Sequence, residues 1–208
     1  MNTQTVSNIA RLLNFRAKAS HLPPILYMTD VERIPDPRAE IAMLPPGSGV
    51  VFRHYDSEMR EHLSHDIKEL CKKNELLFVI AGDISLAYEL DADGLHLPEH
   101  LVQNPSLAVR LWRARPHKLL TAAAHSSKSL RLCSNIGVDA ALVSPVFTTA
   151  SHPGKSPLGI LGFSNICNSS AVPVYALGGI NRTNASRLLK SRAVGIAGIS
   201  GIIDNRNS

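Results

Sequence analysis

The chain has 208 residues, 44% of them hydrophobic but only 5% aromatic, and a net charge of +5 at neutral pH. That length suits one domain, and an aliphatic core favours an α/β layer protein over a small sandwich. No apolar run approaches the ~20 residues of a membrane span. The basic residues are dispersed, and their one tight group (Arg110, Arg113, Arg115) reads as a solvated helix face, so neither a membrane nor a nucleic-acid partner is expected.

Residues 1–20 carry a weak helical pattern through Ile9, Leu12, Leu13 and Phe15. It reads as a helix packed across the floor of the fold, or as an unanchored extension. On this reading residues 1–24 are an N-terminal helical extension and residues 25–208 the main domain. No continuous apolar stretch follows Arg11, Arg16 and Lys18, so no secretory leader is expected.

From residue 25 onward, short apolar runs alternate with amphipathic stretches. Ile25–Met28 is the first run and Gly49–Tyr55 the second, followed by a polar helical segment around residues 57–73. Leu76–Ile80 is the third, with Asp83 placed to cap the next helix. Gly94–Leu97, stopped by Pro98, is the fourth and His117–Ala124 the fifth. Ser126 or Ser127 caps a helix to about Asn135, ended by Gly137. Ala140–Ser144, Val174–Leu177 and Val194–Ile199 complete eight runs.

Several of these runs are continuously apolar, as strands of a parallel sheet buried on both faces are. Right-handed βα units then follow, and closing eight of them predicts an α/β fold, a (β/α)8 TIM barrel, near the lower length limit for that architecture. An open doubly wound sheet is the alternative. Cys71, Cys133 and Cys167 fall in helical stretches without metal-ligand spacing, which points to a reducing, cytoplasmic setting rather than to disulfides.

In such a barrel the chemistry lies at the C-terminal strand ends. Gly178 and Gly179 follow the seventh run, and Ser200 and Gly201 follow the eighth, where a short helix is expected to open. Adjacent glycines let backbone N–H groups approach an anion, and helix N-termini favour phosphate, so these four residues are the predicted phosphate site. The segment from Ser144 to Gly159 is a hydroxyl-rich loop with His152 and Lys155 as cations. Its length suggests a lid or an anion-gripping loop. His125, after three alanines, is either a general acid/base or a structural histidine.

Taken together, Tyr27–Asp30, Ala124–Ser126, Ser144–Thr149, Pro157–Gly159, Ala176–Asn181 and Ile199–Ile202 resemble the thiamine-phosphate synthase/TenI superfamily. The resemblance spans roughly residues 25–203. It implies a (β/α)8 barrel binding a thiazole phosphate at Gly178, Gly179 and Ser200, with His125 matching the histidine that some TenI members use for ring tautomerisation. It also implies a substrate or pyrophosphate loop comprising Arg53, Ser144, Thr149, Ser151, His152 and Lys155. In place of the synthase pattern Gln-x-Arg-x-Lys stands Val51-Phe-Arg-His-Tyr55, which keeps only Arg53. Ala81-Gly82 replaces Asn-Asp, leaving Asp83 and Glu99 as carboxylates for Mg2+, which the synthase reaction alone would require. The expected function is therefore a TenI-like tautomerase acting on a small phosphorylated heterocycle. The alternatives are a synthase with an altered Mg2+ site and a non-catalytic phosphate-ligand sensor, and a homo-oligomer is left open.

Overall fold

The structure, a computed structural model, describes residues 5–55, 60–149 and 156–203. Helix α1 (Val6–Arg16) precedes strand β1 (Ile25–Met28). Then come α2 (Arg38–Ala42), β2 (Gly49–Phe52), α3 (Arg60–Lys73), β3 (Leu77–Ala81), α4 (Ile84–Glu89) and β4 (Gly94–Leu97). Two short helices, α5 (Glu99–Gln103) and α6 (Leu107–Arg113), lead to β5 (Leu119–Ala124), α7 (Ser127–Ile136) and β6 (Ala140–Val143). The chain continues through α8 (Gly159–Ser169), β7 (Val174–Leu177), a 3-10 helix (Ala185–Lys190) and β8 (Gly195–Gly198).

Every strand pairs in parallel with the next, and β8 pairs with β1, giving a closed barrel. The predicted barrel is therefore the observed fold, and the open sheet is excluded. Capping follows the local chemistry. The Asp83 carboxylate accepts from Leu86 N at 3.0 Å, and Ser126 forms a reciprocal capping box with Ser129. Gly137 ends α7 in the left-handed conformation that glycine adopts at little cost.

Because side chains alternate across a strand, the barrel has two apolar layers. Leu26, Val51, Val79, Leu142 and Tyr175 fill the interior, while Ile25, Phe52, Phe78, Leu95 and Val143 face the helices. Ala19 and Leu22 join the interior cluster and close the barrel floor. Helix α1 itself does not lie across that floor. It packs on the 3-10 helix, β8 and β1, with Val6, Ile9, Ala10 and Leu13 buried in the outer layer. Asn14 anchors it, its amide donating to Ala19 O, Leu22 O and Val194 O at 2.9, 3.0 and 3.2 Å.

His96 is an unusual interior residue. It is buried on β4 with Nδ1 3.0 Å from Thr121 Oγ1, and burial, reinforced by the Arg53 charge, holds its pKa down at about 3. The thiols are also buried, and burial pushes Cys71 and Cys167 up to about 12 and Cys133 to about 11. Among the described residues no helix is long and apolar enough to cross a membrane.

Two outcomes follow from this packing. Asn14→Leu keeps the shape but strands the buried carbonyls of Leu22 and Val194, while Ala19 O keeps its bond from Leu22 N, and urea unfolding should show a loss of about 3 kcal/mol. Because the folded pKa of His96 lies below the ~6.5 of a free imidazole, the unfolded chain takes up that proton first as pH falls. The His96 contribution is full above about pH 6.5 and declines toward pH 3, by up to ~1.4 kcal/mol per pH unit. His96→Gln should therefore lose stability less steeply than the parent between about pH 6 and 4.5 in pH-dependent unfolding.

Candidate active site

The C-terminal rim holds a cavity of about 460 Å³ walled by the ends of β1, β2, β6, β7 and β8. Ala197, a small inward residue on the wall, leaves space that the larger Tyr175 fills lower down, where it pairs in register with Gly195. Of the predicted residues, Arg53, Ser144, Thr149, Gly178, Gly179, Ser200 and Gly201 all line it.

One wall of the cavity is made of backbone. Phe147 N donates to Gly178 O at 3.0 Å, and Asn184 Nδ2 donates to Gly179 O at 2.8 Å. A trans peptide aims its N–H opposite its C=O, so both bonds turn the Gly179 and Ile180 N–H groups away from these partners. Among the described residues, the N–H groups of Gly179, Ile180, Ser200 and Gly201 donate to no protein atom. A Cβ on Gly179, whose φ is +68°, would lie 2.3 Å from Thr148 O, and one on Gly201 would lie 2.5 Å from Ile180 O. The loops after β6, β7 and β8 thus touch backbone to backbone, which only glycine permits. The short helix expected after β8 is not formed among the described residues. Ile199–Ile203 make bends and a turn instead, so the Ser200 and Gly201 amides act as a turn concavity without a helix dipole behind them.

The opposite wall carries charge. Arg53 donates through Nε to Thr29 O at 3.0 Å and pairs through Nη2 with Asp30 Oδ2 at 3.2 Å. Arg33 also lines the cavity, its N–H donating to Asp30 Oδ1 at 3.2 Å. Two guanidinium groups against one carboxylate leave this wall net positive. Asp30, Thr148 and Asn181, which stand at the C-terminal strand ends where the sequence places the chemistry, also line the cavity, and Arg33 is a wall residue that the sequence reading missed. The Asp30–Arg53 pair had a signal, because β1 and β2 are neighbours in register Met28↔Val51, and each charge stands two residues beyond. Arg33 had no comparable signal.

Behind this wall, His54 holds the loops. It is buried, stacks on Phe52 and bridges Thr29 Oγ1 and Pro35 O at 3.0 and 3.2 Å. A carbonyl can only accept, so Nε2 carries the hydrogen and Nδ1 receives the Thr29 hydroxyl. Burial, the largest influence, lowers its pKa.

His125 stands beside the cavity rather than on its wall. Its Nδ1 is 3.2 Å from Ser144 O and 3.3 Å from Ser144 Oγ, and Ser144 is a wall residue. Donation from Nδ1 to the carbonyl leaves the lone pair on Nε2, which makes that nitrogen the basic one. Ser151, His152 and Lys155 lie outside the described residues.

Asp83 is not on the cavity wall. One carboxylate oxygen caps α4, and the other lies 3.8 Å from Arg60 Nε. Glu99 Oε1 accepts from His125 N at 3.3 Å. Mg2+ asks for carboxylate oxygens open to it, usually with phosphates and water completing an octahedron. Here a guanidinium and backbone amides compete for both carboxylates. Among the described residues no group of three or more His, Cys, Asp or Glu could hold a metal ion. These side chains do not fit the site that Mg2+ would need.

Known proteins are similar to this chain in sequence and in fold. A family profile described as thiamine monophosphate synthase matches residues 42–202. A putative thiamine-phosphate synthase 2 of Aquifex aeolicus is 34% identical over 157 residues, 74% of this chain and 82% of that protein. The thiamine-phosphate synthase of Coprothermobacter proteolyticus is 29% identical over 172 residues, 82% of this chain and 80% of that one. A solved thiamine phosphate pyrophosphorylase from Pyrococcus furiosus superposes with a TM-score of 0.70 at 22% identity, covering 94% of this chain and 91% of its own, and so shares the fold. With the profile spanning more than half of the chain and these relatives beside it, the chain belongs to the thiamine monophosphate synthase family.

Proposed function

We propose that this protein binds a thiazole phosphate, or a close phosphorylated heterocycle, in the rim cavity and moves a proton on its ring through His125. The observation that carries the reading is the set of undonated N–H groups on Gly179, Ile180, Ser200 and Gly201, facing a wall that bears Arg33 and Arg53. Several amides and a net positive wall suit a phosphate dianion, and they bind it without a metal. A phosphate held there leaves the ring to extend toward Ser144, against which His125 is oriented.

In this reading Nε2 of His125 takes a proton from a ring carbon of one tautomer and returns a proton at the ring nitrogen, so the net change is isomerisation. The Nδ1–H bond to Ser144 O keeps the imidazole in the tautomer with its lone pair on Nε2. Proton transfer of this kind contributes roughly 10²–10⁴-fold in rate.

A second reading is favoured by the names of the relatives, which are thiamine-phosphate synthases. It would have the same cavity hold the thiazole phosphate while an aminopyrimidine diphosphate enters beside it and loses pyrophosphate. Assay of the thiazole phosphate alone, and then with the aminopyrimidine diphosphate and Mg2+, separates the two. Isomerisation of the thiazole alone supports the tautomerase, whereas Mg2+-dependent release of pyrophosphate restores the synthase. Saturable binding with no turnover in either assay makes the protein a phosphate-ligand sensor.

His125→Ala should cut isomerisation by roughly 10²-fold or more while calorimetric binding of the thiazole phosphate persists. Loss of both would contradict a proton-transfer role. Gly179→Ala, which drives a methyl group into Thr148 O, should weaken phosphate binding at least about tenfold, with circular dichroism confirming that the barrel remains folded.

A further inference from the structure

The charge of this protein is segregated along the chain. Residues 30–139 hold 13 Lys and Arg against 16 Asp and Glu, a net of −3. Residues 1–29 and 140–203 together hold eight Lys and Arg and no Asp or Glu, a net of +8, while Asp204 and Arg206 cancel. Barrel closure brings those two acid-free stretches side by side, because β8 pairs with β1 and α1 packs on the 3-10 helix.

On the floor of that acid-free sector lies a second cavity, of about 490 Å³, at the N-terminal ends of β7 and β8. Arg16, Lys18 and Arg192 line it with His21 beside them, and no carboxylate does. Among the described residues none of these cations pairs with a carboxylate. Arg16 makes one 3.4 Å bond, to Leu189 O. Asp139, the acidic residue that leads into β6, is engaged instead by Leu120 N at 2.7 Å and by Arg113 at 3.7 Å. The hydroxyls of Ser170 and Ser191 donate to Val172 O and Leu188 O, so recognition of charge falls to the basic side chains.

The segment that carries Lys18 and His21 is held in place. Lys18 sits just past the end of α1 with φ +53°, and Asn14 fixes the carbonyls of Ala19 and Leu22 on either side of His21. Leu13, Val172 and Pro173 add apolar wall. Cations converging on a concave, partly apolar cavity of this size match a metabolite site better than a flat polyanion surface.

We propose that this floor cavity is a second anion site, for a small metabolite bearing a phosphate or diphosphate. Arg16, Lys18 and Arg192 hold its charge, and Leu13, Val172 and Pro173 meet its body. The site is separate from the rim cavity and does not depend on the function proposed there.

Amide NMR titration of the whole protein with inorganic pyrophosphate tests it, because rim and floor report separately. Saturable shifts should appear at Lys18, His21, Ser191 and Arg192. The double variant Lys18→Gly/Arg192→Ala should weaken that floor response roughly tenfold or more and leave any response at Gly179 and Ser200 unchanged. Glycine suits the left-handed backbone at position 18, so the variant removes charge without adding strain. Three results would overturn the proposal: no shift on the floor, floor shifts that persist unchanged in the double variant, or unsaturable shifts spread equally over Arg11, Arg187 and Lys190.

Discussion

The close approach of Gly179 to the Phe147–Thr148 backbone is the contact on which the rim depends. A parallel barrel brings its loops to one face, but it does not oblige them to touch. Here the loops after β6 and β7 bring main chain against main chain at Gly179, and the loop after β8 meets the Ile180 carbonyl in the same way at Gly201. Such contact uses up carbonyls on the protein side and turns the opposing amides outward. The rim concavity is therefore a by-product of how three loops satisfy their own backbone. Its geometry is set by covalent planarity rather than by rotatable side chains, so it needs little reorganisation when an anion arrives.

The charged wall is arranged to complement that concavity without neutralising it. Asp30 binds Arg53 and the Arg33 backbone, which fixes both positions yet leaves a net positive surface. Beneath it, His96 is kept neutral by burial and by the Arg53 charge. A protonated imidazole there would repel Arg53 and require a counter-charge that the interior does not supply. The barrel thus separates a neutral, polar interior position from an electropositive rim only a short way along the same strands.

Much of this was legible in the sequence, for reasons that particular residues make plain. The eight strands were readable because each is a brief apolar run with a punctuating neighbour, such as Pro98 after β4 or Gly137 before β6. The backbone wall was readable because paired glycines after a strand mark a close approach of main chain. Among the described residues a turn stands where a helix was expected after β8, because Ile199–Ile203 reads as a helix start in sequence and only the close approach of Gly201 to Ile180 O favours a turn. Arg33 was invisible because a long β1–α2 loop takes its shape from tertiary contacts. The position of α1 was open for a related reason. Its buried face was apparent, but the partner for that face was settled by barrel closure, which places β8 beside β1.

The commitments of the charged residues bear most directly on which chemistry the rim supports. In the synthase pattern Gln-x-Arg-x-Lys, the outer positions grip a diphosphate. Here Val51 takes the first and is buried in the barrel interior, while Tyr55 takes the last and lies beneath the Arg60 guanidinium, 5.7 Å from its ring centre. Arg60 itself donates to His54 O and Ala81 O and lies against Asp83. To recruit Asp83 for a metal, the protein would have to uncap α4 and displace an arginine that also spans the rings of Phe52 and Tyr55. To recruit Arg60 for a diphosphate, it would have to free two backbone carbonyls. Each exchange breaks satisfied, partly buried bonds before any substrate is gained. The backbone wall after β7 and β8 demands no such exchange, because its amides are already undonated. That asymmetry, rather than the absence of any one family residue, makes a single-phosphate substrate the better match to this rim.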